Sequence, residues 1–202
     1  MKTNYTEIDE IIYKYERYTK EIAKWLTHSK VQHSISTASY ASYIAKKIEK
    51  PHLEHKVVIA GLLHDLCREL PPYEMLRRAE ELDIPIDDFA KHNPILLHGP
   101  LSAEVAKQIF TELDEEIYEA IYWHTTGKAG LKLTGLILYL ADFSEPLRKY
   151  AQAEVARDIL DTQGFQKALI YTVEQRISLK KHPALPQTVE FLTWLKKEAL
   201  LS

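Results

Sequence analysis

The spacing of apolar residues constrains this chain more than any other feature of it. Ile35, Ala38, Ala41, Ile44, Ala45 and Ile48 recur at three- and four-residue steps until "KPH" interrupts them, which is the stripe of an amphipathic helix. The stretch "VVIAGLLHDLC" is apolar all round and ends before Pro71 and Pro72, so it predicts a helix enclosed on every side. "PPYEMLRRAEEL" is amphipathic, and "GPLSAEVAKQIF" carries Pro100 near a helix start. "LDEEIYEAIYWHTTG" has acids in its first turn and Gly127 just past its end, and "LKLTGLILYLADFSEP" runs apolar to Pro146. No stretch sustains a period of two. The predicted fold class is all-α, in a chain of 202 residues that is long enough to bury a substantial core.

The ends follow the same pattern. Residues 1–30, with many tyrosines and mixed charges, predict helix that packs on the core or on another subunit. Two more helical patterns fill residues 151–179, and "KKHPALPQT" predicts a loop before a closing helix in "VEFLTWLKKEAL". No internal repeat is present.

Charge and cysteine usage exclude several classes of function. A net charge of −3 leaves no basic footprint for nucleic acid, so a small-molecule substrate is expected instead. Cys67 is the only cysteine, which rules out an intrachain disulfide and suits a reducing compartment. The start, "MKTNYTEIDE", has no apolar signal core, and no apolar run approaches the roughly 18 residues of a membrane span. The expectation is a cytoplasmic protein with no membrane contact.

Polar residues inside the apolar runs are the next clue. His64 and Asp65 sit in the middle of "AGLLHDLCREL", where an ionised carboxylate is costly unless it is paired or bound to a metal. The pair alone has a bland explanation: a neutral core histidine bonded to a backbone carbonyl, with Asp65 held by Arg68 one turn later. The peculiarity recurs, however. His33 lies on the stripe of Tyr40, Ile44 and Ile48, and His124 follows Ile117 and Ile121 on their buried face. Asp142 closes the apolar "GLILYLAD", and His98 immediately precedes the helix start at "HGP". Four histidines and two aspartates aimed inward are better explained by a shared metal centre than by six separately satisfied core polars. Imidazoles and carboxylates suit iron, manganese and zinc. His64 and Asp65 are consecutive, about 100° apart around a helix, so they do not chelate one ion as an i, i+4 pair would. A carboxylate can nevertheless bridge two ions, and six ligands with one bridge fit two ions better than one.

At these residues the chain resembles a known family. The order His33, His64-Asp65, Asp142 resembles the H…HD…D signature of the HD-domain metal-dependent phosphohydrolases, and His98 and His124 fall where two-metal members supply two further histidines. "LLHD", "LLHGP", "WHTTGKAG" and "YLADFSEP" are similar to the YqeK-type branch, the symmetrical bis(5′-nucleosyl)-tetraphosphatases of bacteria. The likeness spans roughly residues 20–195, which sets 1–19 apart as an N-terminal helical extension and leaves 20–202 as the main domain.

The resemblance implies a helical bundle with a buried dinuclear site. His33, His64, Asp65 and Asp142 would hold one metal, and Asp65, His98 and His124 the other. Iron is the implied metal, with manganese and zinc as alternatives. The implied reaction is hydrolysis of diadenosine tetraphosphate into two molecules of ADP, hydroxide attacking one inner phosphorus in line with ADP leaving. Two cations about 3.5–4 Å apart suit this chemistry, since they acidify a bridging water and polarise the attacked phosphoryl group. The family resemblance further implies a homodimer, with the tyrosine-rich N-terminal helix as a contact.

A leaving group of that charge calls for further cations. Arg68, one turn after Asp65, and Arg148, just past the proline that ends the Asp142 helix, can grip phosphate oxygens in a fork, and Lys128 in "TTGKAG" is a third candidate. The expected catalytic groups are therefore Asp65, Arg68 and Arg148. The expected substrate contacts are Arg68, Lys128 and Arg148, with Pro186 and Thr188 of the C-terminal segment.

Several positions depart from the family pattern. Lys30 stands where arginine is usual, Cys67-Arg68 where alanine and lysine are, and Tyr122-Trp123 where arginine and tyrosine are. Leu185-Pro186-Gln187-Thr188 replaces "HPxT" and lacks its histidine, which bears on the nucleotide end of the pocket. His28, His52, His55, His92 and His182 lie in polar or turn contexts and are expected in solvent, and Cys67 is expected to be an inert core thiol. Two other readings stay open at this point. One is an HD hydrolase of a nucleoside monophosphate or cyclic nucleotide, and the other is a metal- and nucleotide-binding sensor without useful turnover.

Overall fold

The computed structural model describes residues 5–178 and 185–198. Among them are twelve α-helices and no strand, so the all-α expectation holds. In order these are α1 (Tyr5–Lys14), α2 (Glu16–Trp25), α3 (His28–Lys47), α4 (Glu54–Leu63), α5 (Pro72–Glu81) and α6 (Asp88–His92), then α7 (His98–Ile109), α8 (Glu115–Trp123), α9 (Leu133–Ser144), α10 (Ala151–Thr162), α11 (Phe165–Ser178) and α12 (Pro186–Lys197). Single 3₁₀ turns at Pro51–Leu53 and Pro94–Leu97 lead into α4 and α7. None of the described helices is long and apolar enough to cross a membrane.

Local chemistry sets several of these boundaries. Asp87 caps α6 by accepting from Ala90 N at 2.7 Å, and Asp114 caps α8 by accepting from Glu116 N at 2.8 Å. Pro72 and Pro186 open α5 and α12, where the missing N–H costs nothing and the fixed φ already suits a helix. Pro186 starts the closing helix earlier than its apolar pattern implied. Pro186, Gln187 and Thr188 therefore form its first turn and not a loop. His182, with Lys180 and Lys181, lies outside the described residues.

The enclosed α4 sits at the centre. Residues 57–63 are all buried, and α4 packs against α2, α3, α8 and α9. Gly61 permits its closest approach: a Cβ there would stand 2.7 Å from Ala38 Cα on α3. Two apolar clusters surround it. One joins Ile22, Leu62, Leu101 and Ile121, the other Ile44, Leu140, Leu169 and Phe191. Helices α3, α4 and α9 contribute to both clusters. Each buried aliphatic side chain contributes roughly 1.5–3 kcal/mol, which works against the cost of the polar groups enclosed between them.

One expectation is corrected here. Regular α-helix stops at Leu63 and does not run on to Cys67. The chain then tightens into i to i+3 turns, with Leu66 N bonded to Leu63 O and Arg68 N to Asp65 O at 2.8 Å. Winding at three residues per turn sets consecutive side chains about 120° apart, yet the reach of the two side chains still brings His64 Nε2 within 3.7 Å of Asp65 Oδ1.

Candidate metal centre

Three of the four inward histidines stand at helix ends. His64 and His124 directly follow the last residues of α4 and α8, and His98 opens α7. Each of these rings reaches back to the main-chain carbonyl three residues before it. His64 Nδ1 donates to Gly61 O at 2.7 Å, His124 Nδ1 to Ile121 O at 2.7 Å, and His98 Nδ1 to Ile95 O. His33, within α3, instead directs Nδ1 to the Glu145 carboxylate at 3.0 Å. A carbonyl or carboxylate only accepts, so each Nδ1 carries the proton and each Nε2 is turned to a common interior.

The rings form a row. Centroid separations are 5.3 Å for His33 and His64, 4.9 Å for His64 and His124, and 4.9 Å for His124 and His98. Burial first, then the neighbouring His98 and His64, hold His124 well below the usual histidine range, so it is neutral. Its Nε2 lies 3.0 Å from His98 Nε2. His64 Nε2 is buried with no hydrogen-bond partner. An orphaned imidazole nitrogen and two apposed ones are costly as they stand and suit a cation.

The carboxylates complete the enclosure. Asp65 Oδ1 lies 3.3 Å from His98 Nε2, 3.7 Å from His64 Nε2 and 3.8 Å from His124 Nε2, while Oδ2 faces His33 Nε2 at 3.8 Å. One carboxylate thus offers an oxygen to each end of the row. Asp142 Oδ1 lies 3.1 Å from His33 Nε2 and 3.6 Å from His64 Nε2. Burial opposes ionisation of both acids, yet both are held well below the usual carboxylate range, Asp65 by His64 and His98, Asp142 by His33, His64 and Arg176. Ligand atoms approach within 4.8 Å of one another in the sets His33, His64, Asp65; His64, His124, Asp142; and Asp65, His98, His124. All six sequence-predicted ligands are therefore brought together. His64 and Asp65 share one of these sets, so consecutive positions do not keep them from meeting at one ion.

The cluster opens into a cleft of about 340 Å³. Asp65, His98, His124 and Asp142 lie at it, and Lys30, Arg68, Arg148 and Tyr150 line it as well. Arg68 and Arg148 thus reach the cleft as expected. Asp65 is held not by Arg68 but by Lys30, whose Nζ is 3.6 Å from Oδ2.

Three expected substrate contacts lie elsewhere. Lys128 bonds Glu119 at 3.0 Å and lies over the Trp123 ring. Thr188 is buried and donates to Thr126 O at 2.9 Å, next to a bond from Gln187 to Gly127 O at 2.8 Å. These two side chains fasten α12 to the turn after His124. That turn passes through Gly127 at φ +72°, where a side chain would also strike the Phe191 ring. Pro186 lines a shallow groove with Val189 and Trp194 on another part of the surface. The remaining histidines behave as expected: His28, His52, His55 and His92 are exposed. Cys67 is fully buried, and burial pushes its thiol up to about 12, so it is inert at neutral pH.

Two functional neighbours escape the sequence reading. Glu145, 1% exposed, receives His33 Nδ1, Ser36 Oγ and Leu147 N. Its position three residues after Asp142, at the end of the same apolar run, could have marked it as a seventh inward polar group. Arg176 bonds Asp142 Oδ2 at 2.8 Å. In "YTVEQRIS" it looks like any charge on an amphipathic helix.

Comparison with known proteins adds an independent line. The family model described as the HD domain matches residues 31–165. A symmetrical bis(5′-nucleosyl)-tetraphosphatase of Bacillus subtilis (strain 168) is 27% identical over 177 residues, 86% of this chain and 93% of that protein. Its counterpart in Staphylococcus aureus (strain NCTC 8325 / PS 47) is 31% identical over 163 residues, 79% and 81% of the two chains. A crystal structure described as a "predicted HD superfamily hydrolase involved in NAD metabolism" from Clostridium acetobutylicum is similar with a TM-score of 0.81 at 28% identity, over 90% of this chain and 96% of that one.

Proposed function

The chain belongs to the HD domain family, and on that premise we propose that it is a metal-dependent hydrolase cleaving diadenosine tetraphosphate symmetrically into two molecules of ADP. One observation carries the proposal: four imidazole Nε2 atoms and two carboxylates converge at a cleft lined by Lys30, Arg68 and Arg148. Its chemical sense is a cation site next to a polyanion site.

In this reading His33, His64, Asp65 and Asp142 hold one ion, and Asp65, His98 and His124 the other. Iron is the proposed resident metal, manganese and zinc sharing its donor preferences. Bound there, such ions supply Lewis-acid polarisation of a phosphoryl oxygen and lower the pKa of water. The protein's own groups do the rest. Asp65 spans the row with its two oxygens and fixes the spacing of its halves. Arg148, its side chain one-third exposed, and Arg68 meet the polyphosphate and offset the charge that grows on the departing ADP. The net change adds one water across a central phosphoanhydride: a P–O bond forms at one inner phosphorus, and its bond to the bridging oxygen breaks. The same reading makes the protein a cytoplasmic homodimer through α1, where Tyr13 is 87% exposed, and light scattering after size exclusion tests the dimer.

The decisive experiment is incubation of metal-loaded protein with diadenosine tetraphosphate, with and without chelator, and chromatography of the nucleotides. ADP as the sole product, lost on chelation, is expected. ATP with AMP, or no turnover with iron, manganese or zinc, would overturn the assignment. Nucleoside monophosphates and cyclic nucleotides, run in parallel, test the competing HD activities.

A further inference from the structure

Arg176 comes from α11, more than 30 residues beyond the last of the six ligands, yet its guanidinium holds two of them. Nη2 donates to Asp142 Oδ2 at 2.8 Å and to Tyr139 O at 3.4 Å. Nη1 donates to His124 O at 3.1 Å and to Thr125 O at 3.4 Å. The guanidinium carbon lies 4.3 Å from the centroid of the Tyr139 ring, which restrains its plane. One rigid fork thus joins the carboxylate of one ligand to the backbone of another.

Arg148 holds the other oxygen of the same carboxylate. Its Nη2 is 3.0 Å from Asp142 Oδ1 and 3.3 Å from His33 Nε2. Those are the atoms that an ion bound by His33, His64 and Asp142 needs, so this guanidinium stands where the ion would be. Its side chain is 33% exposed, against 16% for Arg176. The two arginines therefore divide Asp142 between them: Arg148 takes the oxygen that faces His33 and His64, and Arg176, itself at the wall of the cleft, takes the other.

We propose that Arg176 is a positioning residue for the metal centre, holding Asp142 Oδ2 so that Oδ1 stays directed at His33 and His64, while Arg148 is the exchangeable cation that gives up Oδ1 as the site fills. The proposal rests on the metal-centre reading. A carboxylate without the bond to Arg176 is free to rotate about χ2 or turn from the cluster, and the His124 turn loses two backbone bonds at the same time. Arg148, released from Oδ1, is then free for phosphate in the cleft.

The test is Mn²⁺ binding to metal-depleted, full-length protein with no nucleotide present, so its outcome is separate from the substrate assignment. Arg176→Met is expected to weaken Mn²⁺ binding about 10- to 100-fold, the usual cost of losing a group that orients a ligand. Arg176→Lys, which keeps the charge but cannot span carboxylate and carbonyls, is expected to fall between Arg176→Met and wild type. Arg148→Ala is expected to bind Mn²⁺ as tightly as wild type or tighter. In an Asp142→Asn background, Arg176→Met is expected to cost little more, because both changes remove the same interaction. Wild-type affinity in folded Arg176→Met would overturn the proposal, as would a fully additive loss with Asp142→Asn or an equal loss in Arg148→Ala. If Arg176→Met does not yield folded protein, Arg176→Lys decides, and wild-type affinity there counts against the fork.

Discussion

The Nε2 atoms of His98 and His124 lie 3.0 Å apart, although each ring already commits its Nδ1 proton to a main-chain carbonyl. Two nitrogens that both act as acceptors do not hold each other at that distance. Thr125 Oγ1 is 3.2 Å from both and has a single proton to give. The arrangement suits a cation, and Asp65 Oδ1 closes the same space.

Asp65 and His98 should therefore behave differently on truncation. Asp65→Ala removes the one carboxylate among the described residues that reaches both ends of the histidine row, and both metals should be lost or nearly so. His98→Ala should spare the ion held by His33, His64 and Asp142 and still abolish turnover. Metal content by plasma emission spectrometry separates these outcomes, and near-stoichiometric metal in Asp65→Ala would sink the two-ion arrangement.

His33 gives the metal-free protein a pH signature. Burial opposes its charged form, but the hydrogen bonds to Asp142 and Glu145 outweigh it and carry the ring up to about 9 from its ordinary 6.5. A raised pKa in the folded state gives stability that is complete below about 6.5 and is lost as pH rises through about 9. The Tm of metal-free protein should fall across that window. Metal must displace the proton from Nε2, so Mn²⁺ affinity should rise over the same window, by up to about tenfold per pH unit. Thermal shift and calorimetry at several pH values check both. A flat Tm in wild type, matching Glu145→Gln, would exclude this origin.

Arg148→Ala should act on the reaction and leave the fold and the metals intact. A charge-assisted bond to phosphate is worth about 1.5–3 kcal/mol, so kcat/KM for diadenosine tetraphosphate should fall roughly 10- to 100-fold. If Arg148 grips the ground-state substrate the loss appears in KM, and if it meets charge developing on ADP the loss appears in kcat. Unchanged kinetics would remove it from the site.

Gly61→Ala should loosen the frame that carries two ligands. The new Cβ would stand 2.7 Å from Ala38 Cα and 2.9 Å from Ala38 N, backbone atoms that cannot swing aside. Separating α3 from α4 should cost about 1–3 kcal/mol and several degrees of Tm. It should also weaken metal binding, since His33 and His64 ride on these two helices and Gly61 O fixes the His64 ring. A variant with wild-type Tm would show that the crossing has slack.

What the sequence by itself determined was most of the helices and the set of inward polar residues. Both are local signals: Ile35 to Ile48 repeat at helical steps, and His64, Asp65 and Asp142 are polar within otherwise apolar runs. The tight turn at Leu63 was hidden because "VVIAGLLHDLC" is apolar all round and gives no face whose loss would mark a helix end. Tertiary structure alone decided the partners. Arg176 meets Asp142 across 34 residues, and Glu145 meets His33 across 112. Thr188 turns from the expected cleft to Thr126 O across 62 residues. Such contacts depend on how α3, α9, α11 and α12 cross, and a pairing set by crossing geometry leaves no period or spacing in the chain. An arginine on an amphipathic helix reads the same whether it faces water or a buried aspartate.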